Sequence, residues 1–438
     1  MTAALSSLKK PKTREEAILS RSNARWLNRL AQGLFALFAL FVLYILIKGF
    51  IASPAVFLQQ VLNGLQLGFI YALIALGYTM VYGIVRLINF AHGDVFMVGA
   101  FTSLYTISIL DLHRWPLRIW PGIPETLGTL IGVVTVILVS MVTSGFLAVT
   151  IERFAYRPLR SRPRIAALIT AIGVSFFLEY FGALPFVFTN NYITYPRSFD
   201  IVVYRAGTIS NLALGGMWGL FGAALLAQAV LIALSRKGNL TAQAWKDHPL
   251  VRFGLLFGGF MAAVLTLTNL HVEMNGKLWD LTASNIMLVI MGSSIVLQVV
   301  LHYIVRQTRL GKAMRAAAYD KPASRLMGIN VDSVITATFA LGGGLAGAAG
   351  VLYATAFKQV YYLMGIIPGL KAFVAAVIGG IGSIPGAFLG ALIMGQAEVL
   401  SAGYISTPMR DAVSFSLLIL VLLVWPQGIF GEPPGEKV

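Results

Sequence analysis

The 438-residue chain contains no cysteine. That excludes disulfide staples, thiolate metal sites and a cysteine nucleophile, and it leaves the compartment open. Charge is scarce too. Only 11% of residues are charged, against about 25% in an ordinary soluble domain. A soluble protein so poor in charge could not cover its surface, so most of this surface faces lipid. No G-x-x-x-x-G-K-[ST] phosphate loop occurs anywhere, so the chain has no nucleotide-hydrolysing motif of its own. Neither a Ser-His-Asp set nor a pair of catalytic carboxylates can be argued from the sequence. His92 and His302 form no metal-ligand pattern with a nearby acid. The N-terminus does not read as a cleavable signal, because about 33 polar and basic residues precede the first apolar run, with no clear small-residue cleavage site.

What is present is apolar sequence and glycine: 58% hydrophobic residues and 44 glycines. Small residues let transmembrane helices approach closely. Each crossing takes about 20 residues plus a loop, so the length reads as one polytopic, all-α transmembrane bundle rather than several soluble domains. Apolar runs sit near 34–53, 64–85, 88–110, 127–150, 165–188, 212–235, 252–270, 284–304, 333–357, 369–381, 386–402 and 411–426, twelve in all. The net charge of +16 does not point to nucleic acid, because the basic residues lie between the spans rather than on a basic patch. With both termini in the cytoplasm, 24 of the 33 Lys and Arg fall on that side, as the positive-inside rule requires. The remainder, including Lys48, Arg114, Arg118, Arg197 and Arg205, fall on outer loops and helix ends. The outer segments 111–126 and 189–211 carry Trp115, Trp120, Tyr192, Tyr195 and Tyr204, as expected of interfacial aromatics.

Three groups of residues carry candidate chemistry. The charged segment 306–332 has alanine and basic residues at helical spacing over 311–319, which predicts a short amphipathic helix outside the membrane; charge alone also fits a solvated loop that only fixes topology. Asn89, His92 and Asp94 (NFAHGD) are candidates for the translocation path or for a helix cap at the membrane edge, because such residues are costly in lipid and face protein or water. The run GGIGSIPGA, with Gly380, Gly382, Pro385 and Gly386, cannot sustain an ordinary helix and predicts a tight turn, break or hinge. Glycines four apart at Gly64/Gly68, Gly343/Gly347 and Gly382/Gly386/Gly390 read as close helix packing. Glu179 and Glu398 lie within or near apolar runs, where they would relay protons in a carrier or make structural hydrogen bonds in a pump. A secondary transporter and a membrane-embedded enzyme are the competing classes at this point; the enzyme would need an acidic or histidine cluster at one membrane face, and none stands out.

Several blocks resemble a known family. Gln59–Ala100 reads QQVLNGLQLGFIYALIALGYTMVYGIVRLINFAHGDVFMVGA, 151–180 reads IERFAYRPLRSRPRIAALITAIGVSFFLEY, 309–330 reads RLGKAMRAAAYDKPASRLMGIN, and 370–395 reads LKAFVAAVIGGIGSIPGAFLGALIMG. Together with the final SFSLLILVLLVWPQGIFG they resemble, in order, the H-type permease subunit of bacterial branched-chain amino acid ABC importers. The resemblance divides the chain into a cytoplasmic tail (1–33), an extra N-terminal helix (34–56), a first core part (57–211), an inserted helical hairpin (212–283), a second core part (284–430) and a short tail (431–438).

It implies an ATP-driven importer subunit in the bacterial inner membrane, working by alternating access. The expected partners are a second homologous permease, two cytoplasmic ATP-binding subunits and a periplasmic or extracellular substrate-binding protein. The expected substrate is an amino acid, of the Leu/Ile/Val class first, with other amino acids, short amides and urea left open as alternatives. No cofactor is expected on this chain, since ATP is used by partner subunits. The segment 305–332 then corresponds to the loop that docks on the ATPase, with Arg309, Gly311, Arg315, Ala317, Asp320, Ala323, Arg325 and Gly328 as its candidate residues: alanines for close approach, Arg315, Asp320 and Arg325 for pairing, and Gly328 to release the chain. In the family the position of Glu179 usually holds an amide, which lowers its weight as a relay.

Overall fold

The computed structural model describes residue 33 and residues 36–160, 162–199, 201–204, 211–236, 258–260, 262–266, 271–274 and 277–431. The expected tails and the basic loop 237–252 lie outside the described residues. The expected span near 252–270 is described only in part. The chain is mostly helical. Helix α1, Ala36–Ala52, turns at Ser53 into α2, Pro54–Val85. Then come α3, His92–Ser108, the short α4, Trp115–Ile119, and α5, Glu125–Ile151. They are followed by α6, Arg164–Gly182, and α7, Asn211–Arg236. The second part holds α8, Asn285–Gln307, α9, Arg309–Tyr319, α10, Lys321–Leu326, and α11, Val331–Phe357. It ends with α12, Ile366–Gly379, α13, Ile384–Tyr404, and α14, Met409–Val424.

Local chemistry sets many of these starts. Ser284, Thr308, Asp320, Asn330 and Ser383 each accept a hydrogen bond from the backbone amide three residues on, filling donors that a helix N-terminus leaves unpaired. Proline stands in the first turn of α2, α10 and α13, where its missing N–H costs nothing. Three two-stranded ribbons, which the all-α reading did not include, tie loops together. Ile193–Thr194 pairs with Gln359–Val360, and Val203–Tyr204 with Ala283–Ser284. The third, His271–Met274 with Lys277–Asp280, lies in the expected insertion beyond α7.

Among the described residues, six helices are long and apolar enough to cross a membrane, and seven if α3 and the 112–119 segment, bent by 66°, count as one span. Of the twelve apolar runs, those at α1 and α12 form shorter helices, as does α14, with 16 residues. For α12 the reason is visible. Its 14 residues begin beside Gly93 rather than at an end of the bundle.

The core is one motif used twice in opposite directions. In the first copy α2 runs down to Arg86, which adopts φ 59°, and the chain turns back into the half-length helix α3. In the second, α11 runs up to Lys358, φ 58°, and turns back into α12. Gly93 and Gly365 each follow seven residues after these two left-handed caps, and they meet. A Cβ on Gly93 would sit 2.5 Å from the Gly365 carbonyl oxygen, and one on Gly365 would overlap the Gly93 carbonyl. The third member of each motif packs on the other copy's long helix, α13 on α2 and α5 on α11. Small residues sit at these crossings: Gly395 lies against Gly64 and Gly68, and Gly343 and Gly347 lie against Ser140 and Ser144. Where burial against lipid gives little driving force, such close approach supplies the packing energy.

The two ends of the bundle differ. One end gathers Arg86, the 157–160 turn, α9, α10 and the α12–α13 connection. There Lys321 Nζ donates to the Val85 carbonyl at 3.3 Å, and Arg157 and Arg160 reach Asp332 at 3.3 and 2.5 Å. The other end holds Pro54, Lys358, the strand ribbons and Tyr404.

The Gly93–Gly365 contact yields a direct expectation. Gly365→Ala forces the half-helices apart and lowers stability by about 1–3 kcal/mol, whereas Gly173→Ala, with open space around it, gains about 1 kcal/mol of helix propensity. Thermal unfolding in detergent separates them, and equal midpoints for the two variants contradict the contact.

Candidate functional site

At the basic end, the 305–332 segment forms two helices, one more than expected. Helix α9 is amphipathic. Its Gly311, Met314 and Ala317 are buried, and a Cβ on Gly311 would overlap the Val305 and Ile304 carbonyls. Gly311 and Ala317, two of the expected docking-loop residues, thus lie against the bundle, where small side chains let α9 seat closely. Arg315 and Asp320 are likewise engaged. Arg315 Nη1 donates to the Val305 carbonyl, and Asp320 caps α10 by accepting from the Ala323 amide at 3.0 Å. Arg309, Ala323 and Gly328 are exposed, as is Arg325, 3.9 Å from Asp332. Gly328, φ +82°, ends α10 in the conformation that favours glycine.

Sequence reasoning missed three exposed apolar residues of this tip. Tyr319, Leu326 and Met327 are 92%, 89% and 82% exposed, large apolar side chains in a segment rich in basic residues. Polarity draws the eye to the arginines. The signal available was that α9 and α10 are too short to bury all their apolar residues.

The glycine-rich run adjoins this tip. Gly380 and Gly382, at φ +102° and +103°, make the tight turn between α12 and α13, while Pro385 and Gly386 lie in the first turn of α13. The run is therefore a turn between helices rather than a break within one. A Cβ on Gly382 would meet nothing, so its backbone conformation demands glycine; one on Gly386 would overlap the Gly379 carbonyl, so close packing demands it. A cleft of ≈ 260 Å³ runs from Met314 and Arg315 past Arg86 to Gly382, so tip and turn share one surface.

Deeper in the bundle, the chain enters α3 between α2 and α12. His92 stacks edge-on against Tyr78 at 4.6 Å between ring centroids and fills the space above Gly77. Gly77 is about 12 Å from the C-terminal end of α2 at 1.5 Å per residue, so α3 starts well inside the bundle. Asn89 accepts from the Tyr156 hydroxyl at 2.6 Å, and a π-helical turn over Glu152–Tyr156 supplies that tyrosine. None of the three expected residues caps α3, whose N-cap is Ala91. Asp94 alone of the three lines a cavity, ≈ 230 Å³, with Ser175, Glu179, Tyr78, Phe176 and Phe373. Ser175 donates to Asp94 at 2.5 Å and weakly to Glu179 at 3.4 Å. Asn89 and His92 instead hold the turn that delivers Asp94.

Glu398 belongs to a separate network absent from the expected sites. Lys371 Nζ lies 2.9 Å from Glu398 and 2.7 Å from Asp411, the Tyr71 hydroxyl donates to Glu398 at 2.8 Å, and Arg410 Nε approaches Glu398 at 3.3 Å. Lys371 and Glu398 are both 2% exposed. The sequence placed Lys371 with the residues of outer loops and helix ends. Inside α12 it survives because two carboxylates compensate it. Among the described residues no cluster of three or more His, Asp or Glu could hold a metal.

The family described as "Branched-chain amino acid transport system / permease component" matches residues 60–422. The chain is 37% identical to the high-affinity branched-chain amino acid transport system permease protein LivH of Salmonella typhimurium over 383 residues, covering 87% of this chain and 98% of that protein. It is 34% identical to the corresponding permease protein BraD of Pseudomonas aeruginosa, with the same coverage. A shorter stretch of 99 residues, 21% of the chain, is 34% identical to the ribose import permease protein RbsC of Escherichia coli. No solved structure matches. Helix α1 lies before the family match.

The ion network yields the second expectation. Lys371→Met strips Asp411 of its partner and leaves Glu398 with Arg410 and Tyr71, at a cost of about 3–5 kcal/mol for a broken buried pair. Lys371→Met with Asp411→Asn recovers part of that loss. A double variant no more stable than the single, measured by unfolding in detergent, contradicts the pairing.

Proposed function

Because the chain belongs to the family of permease components of branched-chain amino acid transport systems, we propose that it is the membrane subunit of an ATP-driven importer of Leu, Ile and Val. Two ATP-binding partner subunits power it by docking on α9 and α10. The observation that carries this reading is the tip at the basic end: two short helices braced on the bundle by Gly311, Met314 and Ala317, presenting Tyr319, Leu326 and Met327 outward. Large apolar side chains so exposed outside the apolar spans are unfavourable in water and support an interaction site.

The reading extends to topology and partners. The basic end is cytoplasmic, by the positive-inside rule, and the shorter helices complete about twelve spans with both termini on that side. A second homologous permease completes the pathway, and a soluble binding protein delivers substrate at the opposite end, placing the chain in a bacterial inner membrane. ATP is bound by the partner subunits and not by this chain. ATP binding and release then bias two arrangements of the bundle, with the α12–α13 turn beside the docking tip carrying the displacement inward.

Uptake of labelled leucine by the assembled transporter in proteoliposomes tests the reading. It is expected to require ATP inside the coupling compartment and to fall at least tenfold in Leu326→Asp and Met327→Asp, with unchanged amounts of permease in the membrane. Uptake driven by a proton gradient without ATP overturns the proposal.

A further inference from the structure

At the end of the bundle opposite the basic tip, a cleft of ≈ 350 Å³ opens between α2, α11, α13 and the start of α14. One wall is polar: Gln60, Asn63 and Gln66 on successive turns of α2, and Arg410 of α14. The other wall is apolar: Leu67, Ile70, Phe357 and Val399. The outward faces of neighbouring helices carry Leu, Ile and Phe, so a guanidinium and three amides on one surface stand apart. Groups of this kind inside a membrane protein face protein or water rather than lipid.

The hydrogen-bonding capacity of the polar wall is largely unused. Asn63 accepts from Gln59 at 3.2 Å, but the Gln60 and Gln66 amides have no side-chain hydrogen bond among the described residues. Arg410 approaches a single acceptor, with Nε 3.3 Å from Glu398 but not aligned for a hydrogen bond. Glu398 does not need it, since Lys371 and Tyr71 already occupy its oxygens. The two Nη groups of Arg410 therefore have no partner among the described residues. Planar guanidinium donors match a carboxylate's two oxygens.

We propose that this cleft is the subsite that receives the substrate's carboxylate as it enters. Arg410 takes the carboxylate, Gln60, Asn63 and Gln66 complete its hydrogen bonds, and an aliphatic side chain lies against Leu67, Ile70, Phe357 and Val399. The inference rests on the importer reading above. It adds a place of first contact and a reason why the anionic end of an aliphatic amino acid is selected. A phosphate group shares this anion chemistry, so a lipid headgroup is the alternative source to be separated.

The absence of cysteine makes a clean test available. Gly403 lines the cleft, and Gly403→Cys places the only thiol of the chain there. In the assembled transporter, leucine is expected to slow labelling of that thiol by a water-soluble maleimide at least threefold, and leucinamide and glycerophosphate are not. Adding Arg410→Gln removes the protection. Adding Gln66→Leu, which takes away an amide that no protein group uses, weakens it. Arg410→Lys restores it in part. If Arg410→Gln fails to assemble, the Gln66→Leu result decides alone. Full leucine protection in both variants, or no protection in a preparation that still performs ATP-driven leucine uptake, overturns the subsite and leaves the importer reading intact. Equal protection by glycerophosphate assigns the cleft to a lipid headgroup. Absence of any amino acid uptake by the unsubstituted assembly removes the importer reading and the subsite with it.

Discussion

The contact between Gly93 and Gly365 is the constraint on which the rest of the core depends. Two half-length helices point their N-termini at each other inside the bundle, and no side chain larger than hydrogen fits between them. Irregular backbone at such depth is tolerated only where protein or water covers it. The cover comes from the paired long helices: α2 with α13 on one side, α11 with α5 on the other. Because the motif occurs twice in opposite directions, each copy shields the other's turn. Two positive helix ends converge there, and Asp94 places its side-chain oxygens in the first turn of α3.

From that arrangement the buried polar groups follow. Tyr156 and Asn89 fix the entry into α3, His92 fills the space that Gly77 leaves, and Asp94 is carried to the cavity wall. Lys371 lies on the second half-helix, and its charge is compensated by Glu398 and Asp411 from α13 and α14. The Lys371 network therefore ties three helices of the second repeat to α2, which carries Tyr71. The first repeat ties its half-helix outward by a different device at a different position, the Asp94–Ser175 hydrogen bond to α6. The repeats share a backbone plan but not a polar chemistry.

Much of this was legible in the sequence and some was not. Spans such as α5, α8, α11 and α13 show as apolar runs, because a membrane helix needs little beyond length and hydropathy. The interruption near Gly380–Ser383 is legible because four glycines and a proline cannot sustain a helix, while its being a turn between two helices shows only in the structure. Gly64/Gly68 and Gly343/Gly347 read correctly as packing positions. The half-helices were not legible: α3 and α12 are as apolar as full spans, and only the tertiary meeting of Gly93 with Gly365 shows that they stop partway. Within the 305–332 segment, charge marked the loop but not its orientation. Ala317 faces the bundle and Tyr319, Leu326 and Met327 face out, a distinction set by how α9 seats on Val305. Lys371 and Arg410 could not be joined to Glu398 from spacing, since they stand on three different helices.

Under the proposed function, the ATP-binding subunits sit on the basic tip and the polar cleft opens at the opposite end of the pathway. The most direct test uses single thiols at Leu326→Cys and Lys358→Cys in inside-out membrane vesicles, probed with a membrane-impermeant maleimide. The account predicts rapid labelling at 326 that is blocked when the ATP-binding subunits are bound, and no labelling at 358 until the vesicles are opened. Labelling at 358 in intact inside-out vesicles, or labelling at 326 that is indifferent to the ATP-binding subunits, contradicts it.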